Sequence, residues 1–238
     1  MIKTLRGFAG AVLMMTGSFF ATANAAVQVH AVTVERVVDG DTVHAKDSDN
    51  KIVKIRMQGI DSPESHLITD RGPVAQLPWG KDASTSLQKL LKKGDKVELE
   101  DFGRDKYGRT LGHVIINGIN TNIEQVRRGQ AISYLICEVG GCTEEHFEEL
   151  HAEEIMAACE GAKRAGVGVF DPSNPLTEMP FEFRLKHQKR SPDKFVGNYR
   201  TRQYVQPKDY KSIPVCDRVF FLSENDARKS GFTLAIQN

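Results

Sequence analysis

Short stretches in which apolar and polar residues alternate recur through the first half of this chain, and they restrict the folds it can adopt. In KIVKIRMQ, residues 51–58, Val53, Ile55 and Met57 share one face of a strand because side chains alternate along an extended backbone. The same alternation predicts further strands at 27–36, 43–47, 96–102 and 110–116. Strands this short must combine in one sheet to bury their apolar faces, so the pattern predicts a small β-rich domain.

Helical patterns interrupt and follow these strands. KDASTSLQKLLKKG, residues 81–94, has helical apolar spacing and ends at Gly94. NIEQVRRG, residues 122–129, predicts a short helix with Asn122 as its N-cap, and a longer helix is predicted at about 143–165. Three strands, a helix, two strands and two helices fit the α+β class, as a five-stranded OB-type β-barrel with three helices and a small C-terminal extension.

The N-terminal segment has the features of a secretory signal. Lys3 and Arg6 precede the apolar stretch FAGAVLMMTGSFF, and the small residues of ATANAAV follow it. This pattern predicts export and cleavage after Ala25, so that residues 1–25 are removed. A retained membrane anchor is the alternative, but the apolar stretch is short and interrupted by glycine. We therefore expect a secreted or periplasmic protein.

Four cysteines follow the predicted signal: Cys137, Cys142, Cys159 and Cys216. An even number of cysteines in an oxidising compartment predicts disulfide bonds, and three pairings are possible. Cys137 and Cys142 enclose a flexible EVGG loop that could close locally, which would leave Cys159 to pair with Cys216. None of the spacings is that of a zinc-binding CxxC pair, so a structural zinc site built from cysteines is not expected.

The composition changes after the predicted barrel domain, residues 26–170. DPSNPLTEMP, residues 171–180, is typical of a linker, and residues 181–238 form an extension that is basic between Arg184 and Lys211. Residues 138–160 contain eight glutamates and no Lys or Arg. Complementary charge and a disulfide favour docking of the extension on this acidic segment. A free tail that enlarges a phosphate-binding surface is the alternative.

The stretch VVDGDTVHA, residues 37–45, places Asp39 and Asp41 around a glycine between two strands. Asp-Gly is typical of a hairpin turn, which is the simpler interpretation. However, further polar residues occur at strand ends and in the loops that follow: Arg56, Asp61, Ser62, Glu64, Lys106, Tyr107 and Arg109. Carboxylates favour a hard cation such as Ca²⁺, and arginines match phosphate oxygens. The set therefore predicts metal-assisted phosphodiester hydrolysis.

Five motifs in this order, DGDTV, RMQGIDSPE, WGKDAS, DKYGRTLG and NIEQVRRGQA, resemble those of the staphylococcal nuclease (thermonuclease) family. The resemblance covers residues 27–170 approximately. It implies a Ca²⁺-dependent, sugar-nonspecific endonuclease that hydrolyses DNA and RNA and leaves 3′-phosphate ends. We further expect a monomer whose partners are DNA and RNA, without membrane contact after signal cleavage.

The resemblance also implies a metal site. Asp41 and Asp61 would bind Ca²⁺ through their carboxylates, Ser62 would bind it through its backbone carbonyl, and Asp39 would lie behind these ligands. The family more often has Thr at the position of Ser62, a difference that matters little if only the carbonyl binds the ion.

Catalytic and substrate-binding roles follow from the same resemblance. Glu64 would position and activate the attacking water, while Arg56 and Arg109 would bind the scissile phosphate and stabilise the transition state. Lys106 and Tyr107 would contact the substrate. The loop at 65–78 differs in sequence from the family pattern, which affects the expected substrate preference.

Histidines near the acidic residues leave another metal chemistry open. His44 and His66 could turn the site towards a transition metal, although His44 is expected to point away from Asp41. His146 and His151 are five residues apart on a predicted helix, so they are poorly placed to share a metal and are predicted to be surface residues.

Two other functions are compatible with parts of the sequence. A secreted nucleic-acid-binding protein without catalysis is the main alternative, and intact Arg56, Glu64 and Arg109 argue against it. A calcium-binding surface protein would leave the arginines unexplained. The C-terminal extension is faintly similar to a small metal-binding module of secreted nucleases, but Gln206 stands at the expected His position and the cysteine pattern is missing.

Overall fold

The computed structural model describes residues 27–137 and 139–236, so the predicted signal segment at 1–25 lies outside the described residues. The strands have these bounds: β1 Gln28–Val37, β2 Thr42–Lys46, β3 Ile52–Met57, β4 Ile60–Asp61, β5 Leu67–Thr69, β6 Gly72–Val74, β7 Lys96–Arg104, β8 Thr110–Ile116, β9 Ile119–Asn120, β10 Ile132–Ser133, β11 Leu135–Cys137, β12 Phe195–Asn198, β13 Gln203–Val205, β14 Arg218–Phe221 and β15 Thr233–Leu234. The helices are α1 Trp79–Leu90, α2 Thr121–Arg127, α3 Glu144–Glu149, α4 Ala152–Ala165, α5 Pro180–His187 and α6 Glu224–Lys229. Within the described residues, no helix combines the length and the apolar character that crossing a membrane requires.

Five strands close into a barrel, which confirms the predicted OB-type fold. Their order is β3-β2-β1-β7-β8, and a parallel pairing of β3 with β8 joins the two edges. The other neighbouring pairs in the barrel are antiparallel. Val34, Val43, Ile55, Leu99 and Val114 come from alternate strand positions and fill the interior, each at most 1% exposed. The apolar alternation in the sequence thus determines which strand faces point inward.

The capping residue predicted for α2 is wrong by two positions. The Asn120 side chain accepts hydrogen bonds from the backbone N–H groups of Asn122 and Ile123, so Asn120 is the N-cap. Asn122 is buried instead, and its side-chain amide donates to the backbone carbonyls of Gln58 and Gly112. The Asn122 side chain therefore binds backbone carbonyls outside α2 and does not cap the helix.

The single helix predicted at 143–165 is divided into α3 and α4. His151 lies between them with φ of 51°, in the left-handed region where a right-handed helix cannot continue. Phe147 and Leu150 before the break and Ile155 after it are all buried. Because apolar residues keep a helical spacing across the break, the sequence pattern alone does not reveal it.

The C-terminal extension packs against the barrel domain. Strands β12 to β15 form one sheet with β11, and β14 pairs with β11 in parallel. The segment predicted as a linker is also packed, because Leu176 is 5% exposed and the Trp79 indole donates to the Asn174 carbonyl. The extension is therefore docked and not free, and part of the surface it contacts, β11, precedes the acidic segment at 138–160.

Both favoured disulfides are present. Cys137 pairs with Cys142, and Cys159 of α4 pairs with Cys216 of the extension. Charge contributes less to docking than expected: Arg202 lies 2.9 Å from Glu144, but the Glu144 side chain is 71% exposed, and such pairs stabilise little. The shared sheet and the covalent link hold the extension.

Loss of the Cys159–Cys216 bond is expected to lower the free energy of unfolding by ~2–4 kcal/mol, because it removes the constraint on a long loop of the unfolded chain. Chemical denaturation of a Cys159→Ser/Cys216→Ser double variant measures this loss. The matched control is Cys137→Ser/Cys142→Ser, which opens a sequence separation of 5 instead of 57. A loss as large in the control would contradict the loop-length explanation.

Candidate active site

The turn at 39–41 joins β1 and β2 and is fixed by packing around its glycine. A Cβ atom at Gly40 would lie 2.6 Å from the Cβ of Ala83 and 2.7 Å from that of Ser62, so only glycine permits this approach. The buried Gln125 amide donates to the backbone carbonyls of Gly40 at 2.9 Å and Ala83 at 3.1 Å. These contacts fix the turn and hold the two flanking aspartates in place. A turn that only reversed the chain at the surface would not need such buried contacts.

Asp41 and Asp61 share one guanidinium group. Asp41 is 6% exposed and Asp61 is fully buried. Arg56 places Nη2 3.0 Å from Asp61 Oδ1 and 3.3 Å from Asp41 Oδ2. Its Nη1 donates to the backbone carbonyls of Met57 and Ile60. Arg56 therefore has a structural role beside any catalytic one, because it is the counter-charge of two buried carboxylates.

Burial acts to raise the pKa of each of these aspartates, and neighbouring charges modify the result. Burial would raise the pKa of Asp41, but Arg56 and a 2.7 Å hydrogen bond from the Ser62 N–H hold it below its usual value. Burial raises the pKa of Asp61 despite its arginine partners. Burial and the adjacent Asp41 raise the pKa of Asp39 to about 7. A group of carboxylates with too little neighbouring positive charge is suited to a bound cation.

Glu64 is positioned through its backbone by the loop predicted to differ from the family pattern. The Gln76 side chain accepts a hydrogen bond from the Glu64 N–H at 3.1 Å and donates to the Glu178 carbonyl at 2.7 Å. The Glu64 side chain is 17% exposed, and burial raises its pKa above the usual value. Sequence reasoning missed Gln76, because its two partners are distant from each other in the chain.

The loop between β7 and β8 carries Arg109, Lys106 and Tyr107. Asp105 accepts hydrogen bonds from the N–H groups of Tyr107 and Arg109 and pairs with the Arg109 side chain at 2.7 Å. Lys106 Nζ and Arg109 Cζ lie 5.2 and 5.6 Å from the centre of the Tyr107 ring. Because Tyr107 is 70% exposed, its ring is available for stacking.

One cavity of about 740 Å³ brings the predicted site residues together. Those that line it are Asp41, Arg56, Glu64, Lys106, Tyr107 and Arg109. Asp61 and Ser62 lie behind this surface, where they are hydrogen-bonded to Arg56 and Asp41. The structure therefore places every predicted metal-binding, catalytic and substrate-binding residue at one location.

The two histidines proposed as alternative ligands differ in position. His66 lines the cavity. His44 lies opposite Arg36 and Lys54 on the neighbouring strands, and burial together with these cations lowers its pKa. A metal ion beside His44 would face two positive charges, so its surroundings argue against a ligand role there.

Arg184, in the C-terminal extension, enters the site and was not predicted from the sequence. Its Nη1 lies 2.8 Å from Asp61 Oδ1 and 2.8 Å from Glu64 Oε1, and its Nη2 lies 2.9 Å from Asp61 Oδ2. Helix α5, which carries it, is anchored by Phe181 stacked on Tyr134. More than a hundred residues separate Arg184 from its partners, so no local pattern could identify this contact.

The barrel, with buried carboxylates and arginines at one cavity, has the arrangement expected of the staphylococcal nuclease class. Residues 54–169 match the sequence model of the family described as staphylococcal nuclease homologue. The chain thus contains a domain of that family, as its motifs predicted.

Several known proteins are similar to this chain. Endonuclease YhcR of Bacillus subtilis (strain 168) is 39% identical over 203 residues, which are 84% of this chain and 16% of YhcR. An uncharacterized endonuclease of Escherichia coli O157:H7 is 41% identical over 102 residues, 42% of this chain and 59% of that protein. A thermonuclease of Staphylococcus intermedius is 34% identical over 106 residues, 44% of this chain and 60% of that protein.

The chain spans less than two thirds of the length of each of these relatives. The similarity to YhcR is too long to fit before the extension, so it continues beyond residue 180. The part of the chain that carries Arg184 is therefore similar to a segment of another protein.

Proposed function

We propose that this protein is an exported, Ca²⁺-dependent, sugar-nonspecific endonuclease that hydrolyses phosphodiester bonds in DNA and RNA. Its main support is the convergence of Asp41, Glu64, Arg56 and Arg109 at one cavity, with Asp61 paired to Arg56 behind it. Export is supported by the signal pattern at 1–25 and by two disulfides, which form in oxidising compartments.

Ca²⁺ would be held by the carboxylates of Asp41 and Asp61 and by the backbone carbonyl of Ser62. The donor set fits this ion, because Ca²⁺ prefers oxygen ligands and the buried carboxylates exceed the positive charge around them. When bound, the ion supplies positive charge that stabilises the phosphoryl oxygens in the transition state.

The remaining polar residues carry the proton and phosphate chemistry. Glu64 orients a water molecule and accepts its proton, and its raised pKa makes it a stronger base than an exposed glutamate. Arg56 and Arg109 bind the non-bridging oxygens, on which negative charge increases as phosphorus becomes pentacoordinate. Attack by water breaks the P–O5′ bond, the leaving O5′ takes a proton from solvent, and the phosphate remains on the 3′ oxygen.

Features common to DNA and RNA would be recognised around the cavity. The exposed Tyr107 ring can stack on any base, and Lys106 beside it can pair with a phosphate. Arg190 and Lys194 of the extension also line the cavity. Such contacts read the backbone and the base faces rather than a sequence or a 2′-hydroxyl, which agrees with sugar-nonspecific cleavage.

Arg184 stands between the two carboxylates that metal binding and proton transfer require. It binds both oxygens of Asp61 and one oxygen of Glu64. A cation that binds Asp61 competes with this contact for the same carboxylate. The extension therefore opposes metal binding, and Arg184 is the residue through which it acts.

Incubation of the purified mature chain with labelled DNA and RNA, in Ca²⁺ or in chelator, tests the proposed function. We expect cleavage of both polymers in Ca²⁺, no cleavage in chelator, and product 3′ ends that a polymerase extends only after phosphatase treatment. Binding without cleavage would identify a nucleic-acid-binding protein instead. Greater activity with Zn²⁺ than with Ca²⁺ would contradict the oxygen-ligand assignment.

Asp41→Ala is expected to weaken Ca²⁺ binding roughly tenfold or more, since removal of residues that merely support metal ligands already costs about 10–100-fold. Isothermal titration calorimetry with Ca²⁺ measures the change. Asp49→Ala, in the exposed turn between β2 and β3, is the control and should bind Ca²⁺ as the wild type does. Equal affinities in the two variants would remove Asp41 from the ligand set.

A further inference from the structure

Glu100, His113 and His151 form a compact group outside the lining of the cavity, here named the Glu100 cluster. Glu100 on β7 lies opposite His113 on β8 in the antiparallel register, and Glu100 Oε2 is 3.1 Å from His113 Nδ1. His151 Nε2 is 3.5 Å from the same oxygen. The possible ligand atoms all lie within 4.8 Å of one another. The cluster therefore connects two barrel strands with the junction of α3 and α4.

Two of the three separations in the Glu100 cluster are close to those of a tetrahedral metal site. Nitrogen and oxygen ligands at about 2.0–2.1 Å from Zn²⁺ are roughly 3.3 Å apart in a tetrahedron. The two distances from Glu100 Oε2, 3.1 and 3.5 Å, lie on either side of that value. The third separation, between His113 Nδ1 and His151 Nε2, is at most 4.8 Å. Because the His151 side chain is 31% exposed, its ring can rotate to shorten this separation.

Oxygen atoms lie near the second nitrogen of each imidazole, beyond hydrogen-bond distance for His151. A histidine ligand commonly directs its second nitrogen at a carboxylate or a backbone carbonyl, which fixes the orientation of the ring. His151 Nδ1 lies 3.7 Å from Glu154 Oε1. The His113 ring lies near the Gln58 backbone carbonyl. His113 Nε2 is buried and has no hydrogen-bond partner of ordinary geometry in the described part of the chain.

The surroundings lower the pKa values of both His113 and Glu100. Burial lowers the pKa of His113, and the neighbouring His151 lowers it further, although Glu100 acts in the opposite direction. The hydrogen bond with His113 lowers the pKa of Glu100. A metal ion bound at His113 Nδ1 would replace the hydrogen bond between this nitrogen and Glu100 Oε2.

We propose that the Glu100 cluster binds a divalent cation of the Zn²⁺ class, with Glu100 Oε2, His113 Nδ1 and His151 Nε2 as ligands and water in the open position. Two nitrogens and one oxygen favour Zn²⁺ over Ca²⁺, which prefers oxygen ligands alone. The ion reaches the site from solvent, because Glu100 and His151 side chains are 21% and 31% exposed. Bound there, it links the barrel to α4 and stabilises the folded state by mass action.

Calorimetric titration of the metal-stripped mature chain with Zn²⁺, together with thermal melts, tests this site. We expect saturable binding of one ion per chain and a rise in Tm. His151→Asn removes the ring but keeps a residue type that tolerates the left-handed backbone, so it should weaken Zn²⁺ binding roughly tenfold or more. The matched control His146→Asn, on α3, should bind Zn²⁺ as the wild type does.

Two further variants locate the ion. Glu154→Gln should weaken Zn²⁺ binding by less than His151→Asn, because Glu154 acts only on the orientation of the ring. Asp41→Ala should leave Zn²⁺ binding and the rise in Tm intact. Binding that survives His151→Asn but is lost in Asp41→Ala would place the ion in the cavity and overturn the proposal. If the wild type shows neither binding heat nor a Tm shift, the Glu100 cluster does not bind Zn²⁺ and is a hydrogen-bonded structural group.

Discussion

Glu64→Gln is expected to lower turnover roughly a hundredfold or more, the usual effect of losing a general base. The substitution keeps the size and the polarity of the side chain, so the backbone hydrogen bond to Gln76 is retained while the proton acceptor is lost. Steady-state hydrolysis of DNA at saturating Ca²⁺ and substrate measures the effect. Glu153→Gln, on an exposed position of α4, is the control and should keep wild-type turnover.

Arg56 provides an independent test of the same reaction, but its structural role changes the choice of variant. Arg56→Ala would remove the arginine that pairs with both Asp41 and Asp61 and would leave Asp61 with Arg184 alone, which destabilises the fold. Arg56→Lys keeps the charge and loses the planar fork, so turnover should again fall roughly a hundredfold while the chain remains folded. Near-normal turnover in both Glu64→Gln and Arg56→Lys, with unchanged Tm, would rule out the proposed roles of these residues.

The barrel could be predicted because the apolar alternation that specifies each strand lies within a few consecutive residues. Val53, Ile55 and Met57 alternate with polar neighbours. Apolar residues at every second position are buried together only if the segment is a strand with one face turned to the core. The break between α3 and α4 could not be predicted in this way. A histidine at position 151 does not by itself identify a left-handed backbone, and the apolar spacing continues across the break.

The residues of the candidate site could also be named from the sequence, because they lie in short motifs at strand ends. The contacts that position those motifs could not. Gln125 holds the turn at 39–41 from a distance of 85 residues in the chain, and Gln76 joins Glu64 to Glu178. Buried glutamines of this kind follow no periodic pattern, and their partners are defined only once the fold brings distant segments together.

Arg184→Gln is expected to tighten Ca²⁺ binding roughly tenfold or more. Hydrogen bonds to charged groups contribute about 1.5–3 kcal/mol each, and every 1.4 kcal/mol changes an affinity about tenfold. Arg184 makes two such bonds to Asp61 and one to Glu64, all at 2.8–2.9 Å. Ca²⁺ that binds Asp61 competes with these bonds in the wild type, whereas in the variant it meets one positive charge fewer and, of the two arginines, only Arg56 on Asp61.

The same substitution should lower stability without metal and enlarge the stabilisation that Ca²⁺ provides. In chelator, Arg184→Gln should lower Tm, because the fully buried Asp61 retains only Arg56 as its charged partner. Saturating Ca²⁺ should then raise Tm by more in the variant than in the wild type, since the tighter ligand stabilises the folded state more. Calorimetry and thermal melts on the same samples measure both effects.

Lys186→Gln is the matched control, because Lys186 lies on the same helix, is 66% exposed and pairs with Glu178 outside the carboxylate group. It should leave the Ca²⁺ affinity unchanged. Weaker Ca²⁺ binding in Arg184→Gln would contradict competition, and would mean that Arg184 holds Asp61 and Glu64 in the geometry that the metal needs. Tighter binding with the control unaffected would establish that the extension, through one arginine, competes with the metal for the carboxylates of the barrel domain.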